Sequence, residues 1–220
     1  MKKLLYITLL FTLSCTSVGS KTFSDYSYPK EWFEPVNDPN APKWEILPQE
    51  AGPGEVILSK RNELGILSNF AATPIDYRGK TYASIEGLWQ SMKYPENAKD
   101  ERAKYPGIKW DLKRSEIEKM SGFKAKRAGK QGSQNMKTMG IDWVSFEGEK
   151  MVYRTLNKGR HYDVIREAMR QKVRQNPEVK RILLATGDLK LRPDHKTREP
   201  SPPAWKYYQI YMEIRSELMK

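Results

Sequence analysis

Glu86, Trp89, Gln90 and Lys93 fall at i, i+3, i+4 and i+7 of the stretch Ser84-Ile-Glu-Gly-Leu-Trp-Gln-Ser-Met-Lys-Tyr94. On a helix that spacing places all four on one face. A carboxylate, an amide and an amine beside an indole are an unusual mixture for a plain surface. Together they offer an acid or base, hydrogen-bond donors and a nucleophile. Leu88 and Met92 lie beside them and would anchor the helix in a core. A plainer reading suits the same residues, a solvated helix carrying a Glu–Lys pair, and on pattern alone it is the better supported.

The elements that must position this face can be read on either side of it. Ser84 fits a helix N-cap, and Glu86 sits in the first turn, where the helix dipole favours an acid. The helix runs to about Tyr94 and stops before Pro95. Upstream, Val56, Ile57 and Leu58 read as a short buried strand. Ile75, Tyr77, Lys80 and Tyr82 read as two short strands joined by an Arg78-Gly79 turn. Downstream, Lys113 to Met120 looks helical, and Ala125 to Gly129 belongs to another short helix. Asp142-Trp143 opens the longest periodic segment. In it Met151, Leu156, Ile165, Met169 and Val173 recur at helical spacing, with a break near Lys158-Gly159. Arg160 to Gln175 is the clearest helix, ended by Asn176-Pro177. Val179 to Ala185 is an apolar segment, Pro200, Pro202 and Pro203 stiffen a loop, and Trp205 to Met219 closes the chain as a helix.

Several short motifs occur in a characteristic order. They are Leu67-Ser-Asn-Phe70, Pro74-Ile75, Gly79-Lys80, Ser84-x-Glu86, Gln90-x-x-Lys93-Tyr94, Ala128-Gly129 and Asp142-Trp143. Met151, Lys158, Leu183-Leu-Ala-Thr-Gly187 and Met212-x-Ile-Arg215-x-x-Leu218 follow. In that order they resemble the NADAR, or YbiA-like, family, from about Val56 to Lys220. The resemblance implies an α+β fold, predominantly α-helical, in a single YbiA-like domain with a few short strands. It also implies an N-glycosidase. Family members cleave the bond between ribose and nitrogen in phosphoribosylated intermediates of riboflavin synthesis, or remove ADP-ribose from guanine bases.

The residues suit that reaction. Breaking an N-glycosidic bond builds positive charge on the sugar, which a carboxylate such as Glu86 stabilises while orienting water. Lys93 matches the family's motif lysine and becomes a covalent nucleophile if burial lowers its pKa. Asn69 and Gln90 would assist the leaving base by hydrogen bonding. Lys158, a second matched lysine, would bind phosphate. Phe70, Trp89 and Trp143 would stack on the base, although core roles suit Phe70 and Trp143 equally well. Gly129 would let backbone approach phosphate, or mark a helix end. Three departures stand out. Gly87 replaces the family's His after the Glu. The Trp-Gly and Gly-rich segment before the last helix is replaced by Arg192-Pro-Asp-His and Pro200-Ser-Pro-Pro-Ala-Trp205, so that Asp194 and Trp205 occupy related space. The loop from Lys99 to Lys104 is unusually charged.

Composition bounds the remainder. The chain of 220 residues carries a net charge of +12, which favours anionic partners. One cysteine and two histidines argue against an internal disulfide and against a metal site, and no cofactor is expected. Lys2, Lys3 and the apolar run to Leu13 read as an export signal, too short to span a bilayer. Ser14-Cys15 resembles a lipoprotein cleavage site with Cys15 as lipid anchor. The expected organisation is an export signal over 1–15, a Pro-rich tether over 16–54 and the domain over 55–220. The protein would be exported, as a membrane-anchored lipoprotein of a bacterial envelope or else secreted or periplasmic. Its partner would be a phosphorylated ribosyl or ADP-ribosyl small molecule, or ADP-ribosylated nucleic acid. The membrane is reached only through the lipid, and no protein partner is expected. The alternative function is a non-catalytic module on the same fold that binds nucleotide, ADP-ribose or nucleic acid; a structural envelope protein is the third.

Overall fold

The computed structural model describes residues 28–220. The export signal, the Cys15 anchor and the first part of the tether lie outside the described residues. Six α-helices and three two-stranded sheets make an α+β domain in which helices predominate. The strands are β1 (Glu55–Ile57), β2 (Ile75–Tyr77), β3 (Lys80–Tyr82), β4 (Trp143–Phe146), β5 (Glu149–Val152) and β6 (Lys190–Arg192). The helices are α1 (Ile85–Ser91), α2 (Arg114–Glu118), α3 (Gly122–Thr138), α4 (Arg160–Gln175), α5 (Pro177–Ala185) and α6 (Tyr207–Leu218). Among the described residues, no helix is long and apolar enough to cross a membrane.

The short helix α1 lies at the centre, packed against α2, α3 and α4. Its cap explains where it begins. Ser84 Oγ accepts from Gly87 N and donates to Met120 O, each at 2.9 Å, which joins the cap to the end of α2. Ile85 and Leu88 are fully buried, and each contributes roughly 1.5–3 kcal/mol by leaving water. Pro95 closes the segment, and the orphan carbonyls are taken by buried cations. Arg102 Nη1 donates to Met92 O, Ser145 N donates to the same oxygen, and Arg114 Nη1 reaches Tyr94 O. The charged loop at 99–104 therefore carries a structural arginine, fully buried and bound to Asp100 and Ser145 Oγ.

Helix α3 runs 17 residues rather than a short turn around 125–129. Its glycines suggest breaks in sequence but are demanded by packing. A Cβ on Gly129 would stand 1.7 Å from Gln90 Oε1, and one on Gly132 2.8 Å from the Tyr94 ring. Ala125, Ala128 and these glycines bring α3 onto α1 at close range. The helical reading of 142–157 is also corrected. Those residues hold the β4–β5 hairpin, in which Trp143 pairs with Val152 and Phe146 with Glu149. The turn residues Glu147 and Gly148 have φ of 52° and 80°, the tandem left-handed pair that tight hairpins need. Arg78-Gly79 does the same at 51° and 74°. Val179 to Ala185 belongs to a helix that starts with Pro177 at its first turn.

Residues 28–54 are packed chain, not a free spacer. Trp32 is fully buried, and its Nε1 donates to Glu63 Oε1 at 2.7 Å. Ile46 N donates to Asp194 O, and Lys196 N to Trp44 O. The segment is thereby zipped along the chain that follows β6.

Candidate active site

A cleft of about 580 Å³ opens at the face of α1. Glu86, Trp89, Gln90 and Lys93 all line it, as do Asn69, Phe70, Asp194 and Trp205. Eight of the residues expected at a site are thus brought together from four stretches of chain. Glu86 and Lys93 are each only 8% exposed, so they are not the solvated Glu–Lys pair that the pattern alone favoured.

Desolvation dominates the electrostatics here. Burial pushes the Glu86 carboxyl above its usual range, against the opposing Gln90 hydrogen bond and the charges of Lys93, Lys126 and Lys60. Burial pulls the Lys93 amine down to about 8, against the pull of Glu86. Both groups move towards neutrality, which leaves a fraction of free amine at neutral pH. Gln90 Nε2 donates to Glu86 Oε1 at 2.8 Å. Lys93 Nζ donates to Ser133 Oγ at 2.9 Å and to Gly129 O at 3.4 Å.

The Leu67-Ser-Asn-Phe70 loop is fixed by its backbone. Lys172 Nζ of α4 donates to Ser68 O, Glu86 N donates to Asn69 O, and Gly122 N donates to Phe70 O, all between 2.8 and 2.9 Å. Three successive carbonyls are thus held by α4, α1 and the start of α3. Asn69 Oδ1 is buried and finds no partner among the described residues. An unpaired buried amide oxygen beside a cleft is suited to a ligand's donor.

On the opposite wall, the Asp194 carboxylate accepts from Lys60 and lies 3.0 Å from His195 Nδ1. Burial works to raise this carboxyl, but the hydrogen bonds from His195 and Lys60 outweigh it and hold it low. Trp44 and Trp205 stand at the mouth, each nearly half exposed.

Three expected residues fall elsewhere. Gly129 lies against Gln90 inside the α1–α3 contact, so its lack of a side chain makes room for that amide and not for phosphate. Trp143 sits outside the cleft on β4, its ring faced by Arg102 at 4.6 Å and Lys150 at 4.4 Å. Lys158 is 57% exposed and paired with Glu213 of α6, remote from the phosphate role given to it. Conversely, the sequence reading missed Lys60, Lys126, Arg154 and Lys196, which put positive charge around the cleft, and Trp44 and His195. The net charge signalled an anionic partner, but no local pattern said where its cations gather. Trp44 was hidden by its Pro-rich surroundings.

Gly87 faces away from this chemistry. A Cβ there would lie 2.4 Å from Met120 O, so a side chain at 87 would run into the end of α2. Behind Trp89 sits His161, its ring edge-on to the indole at 4.8 Å. Burial, then the charge on Lys93, pulls His161 down to about 4.

Comparison with known proteins bears on the motifs. N-glycosidase YbiA of Escherichia coli (strain K12) is 29% identical over 133 residues, which are 60% of this chain and 64% of that protein. Over that stretch the chain is similar to N-glycosidase YbiA. N-glycosidases YbiA of Shigella boydii serotype 4 (strain Sb227) and Shigella sonnei (strain Ss046) match at the same identity and coverage. The match spans 64% of the length of these curated relatives. It agrees with the family read from the motifs. An NMR structure of the E. coli protein YbiA covers 73% of this chain and 82% of its own, at 24% identity and a TM-score of 0.46. No family model matches the chain.

Proposed function

We propose that this YbiA-like chain is an N-glycosidase-type hydrolase that cleaves the ribose–nitrogen bond of a ribosyl-phosphate or ADP-ribosyl compound. The observation that carries the reading is the burial of Glu86 and Lys93 in the lining of one cleft. A hydrated surface pair would retain both charges and have no reactive amine. Here burial supplies a partly neutral Lys93, free to attack the sugar's anomeric carbon. Glu86 balances the positive charge that develops on the sugar and takes the proton released from the attacking nitrogen. Water then frees the sugar from Lys93. Lys60, Lys126, Arg154 and Lys196 suit a phosphorylated substrate. Trp44, Phe70 and Trp205 provide aromatic faces for a base. Combined with the export signal read at residues 1–15, the proposal locates the reaction outside the cytoplasm, on an envelope surface reached through Cys15. There an ADP-ribosylated or nucleotide-like substrate fits better than a cytoplasmic riboflavin intermediate.

The test is incubation with a panel of ribosylated phosphates while release of the base is followed. Glu86→Gln and Lys93→Met should each reduce turnover by at least about 100-fold, the usual scale for a proton-transfer or nucleophilic group. Borohydride added during turnover should reduce the sugar onto Lys93, read as an added mass on its peptide. Tight ligand binding with no turnover in the wild-type protein would favour the binding module instead.

A further inference from the structure

We propose that His195, oriented by Asp194, is the acid that protonates the departing base. This rests on the N-glycosidase reading above. A base attached through an amide-like or purine nitrogen leaves with an electron pair and needs a proton at that moment. Neither amide in the cleft, Asn69 or Gln90, can yield one. The rim lysines are assigned to the substrate's phosphate. Lys93 is committed to the sugar, and His161 lies buried behind Trp89. Among the described cleft residues, His195 carries the imidazole, a side chain that can both give and take a proton at one nitrogen.

Its mounting fits the role. Asp194, 2% exposed, accepts from Nδ1 at 3.0 Å, so Nδ1 keeps its hydrogen and Nε2 is the working nitrogen. The ring lies nearly parallel to that of Tyr207, tilted by 12° at 6.3 Å, and Tyr207 is itself buried. The backbone on both sides is held. Ile46 N donates to Asp194 O, Lys196 N donates to Trp44 O, and His195 bridges Glu45. The charged and titratable groups around it are Asp194, Lys60 from the chain after β1, Lys196, and Tyr207 from α6; Glu86, Lys93, Lys126 and Arg154 share the cleft. The imidazole is 42% exposed, so it can be reloaded with a proton from water.

The step balances without a co-reactant. Lys93 bonds to the anomeric carbon while the carbon–nitrogen bond breaks, and its electron pair goes to the base. The base takes the Nε2 proton of His195, and Glu86 takes a proton from the Lys93 nitrogen. Hydrolysis consumes one water, and Glu86 and His195 return to their starting states through solvent.

Two ribosyl 5-phosphates separate this step from the rest. Nicotinamide mononucleotide releases a neutral pyridine and needs no proton, whereas guanosine 5′-monophosphate releases a purine that does. Wild-type protein should cleave both. His195→Gln should slow the purine probe by at least about 100-fold and the nicotinamide probe by less than about threefold, with an unchanged melting temperature. Asp194→Asn should show the same split, and ¹⁵N NMR of His195 should show loss of its Nδ1–H tautomer. Equal losses on both probes, or no loss on the purine probe, overturn the proposal. Wild-type cleavage of the nicotinamide probe alone also overturns it but leaves the N-glycosidase reading standing. Wild-type cleavage of neither removes both.

Discussion

Lys93 and Gly129 illustrate how much a single position settles here. The amine of Lys93 is pulled down to about 8 by burial, so its neutral fraction climbs as pH rises towards 8 and levels above it. If it is the nucleophile, kcat/KM for a substrate that needs no acid should rise about tenfold per pH unit below that value. A pH–rate profile on nicotinamide mononucleotide checks this, and a flat profile between pH 6 and 8 argues against amine attack. Gly129 acts one step removed. A methyl group there would displace the Gln90 amide, which holds Glu86 at 2.8 Å. Gly129→Ala should therefore cost activity, by roughly 10-fold or more, while the melting temperature falls only slightly. The same change made at Gly159, whose φ is −108° and whose surroundings are open, should leave activity intact.

At the scale of elements, the face of α1 was legible because its signals are local. Ser84 caps, Glu86 sits in the first turn, and the i, i+3, i+4 spacing holds, although α1 ends at Ser91 instead of near Tyr94 and Lys93 lies two residues past it. Arg160 to Gln175 was equally plain and is helix α4 over the same residues. What escaped was whatever depended on partners. The hairpin β4–β5 turns on Glu147-Gly148, which lacks the Asn or Asp that advertises such a turn. Helix α3 carries glycines that are costly in an isolated helix and are justified only by α1 against them. The Met92 carbonyl at the end of α1 is held by Arg102, 10 residues further on. Arg102→Ala would leave Asp100 and the Met92 carbonyl without their cation, and removing one partner of a buried pair costs about 3–5 kcal/mol. Chemical denaturation should read that loss, and the variant should also turn over more slowly because Lys93 sits in the same final turn.

Across the whole molecule, the walls of the cleft come from parts of the chain far apart in sequence, which is why charge composition announced an anionic ligand without locating it. Trp44, Lys60, Lys126, Arg154 and Lys196 meet only after folding. Such convergence requires buried cations, and they make stability depend on pH. Lys172 is fully buried, holds Ser68 O at 2.8 Å, and is pulled down by burial to about 7. In the unfolded chain it would titrate at its ordinary value near roughly 10. Between those values the unfolded chain binds the extra proton, so stability rises with pH from about 7 upward. Lys93 acts in the same direction from about 8. His161, held down to about 4, adds a rise between that value and the ordinary histidine range. Glu86 opposes them, since its raised carboxyl keeps a proton the unfolded chain has lost. The folded protein should thus gain stability from pH 6 to 9, measured as a rising denaturation midpoint, where a protein stabilised by surface ion pairs would show a plateau. In Lys172→Met the rise should flatten, because the residue with the deepest burial no longer titrates. The same variant loses its hold on Ser68, so the loop bearing Asn69 and Phe70 should loosen, and KM should increase more than kcat falls. A midpoint that stays level in wild-type protein over that range would mean Lys172 keeps its charge when buried, and the account of how this cleft is supported would fail with it.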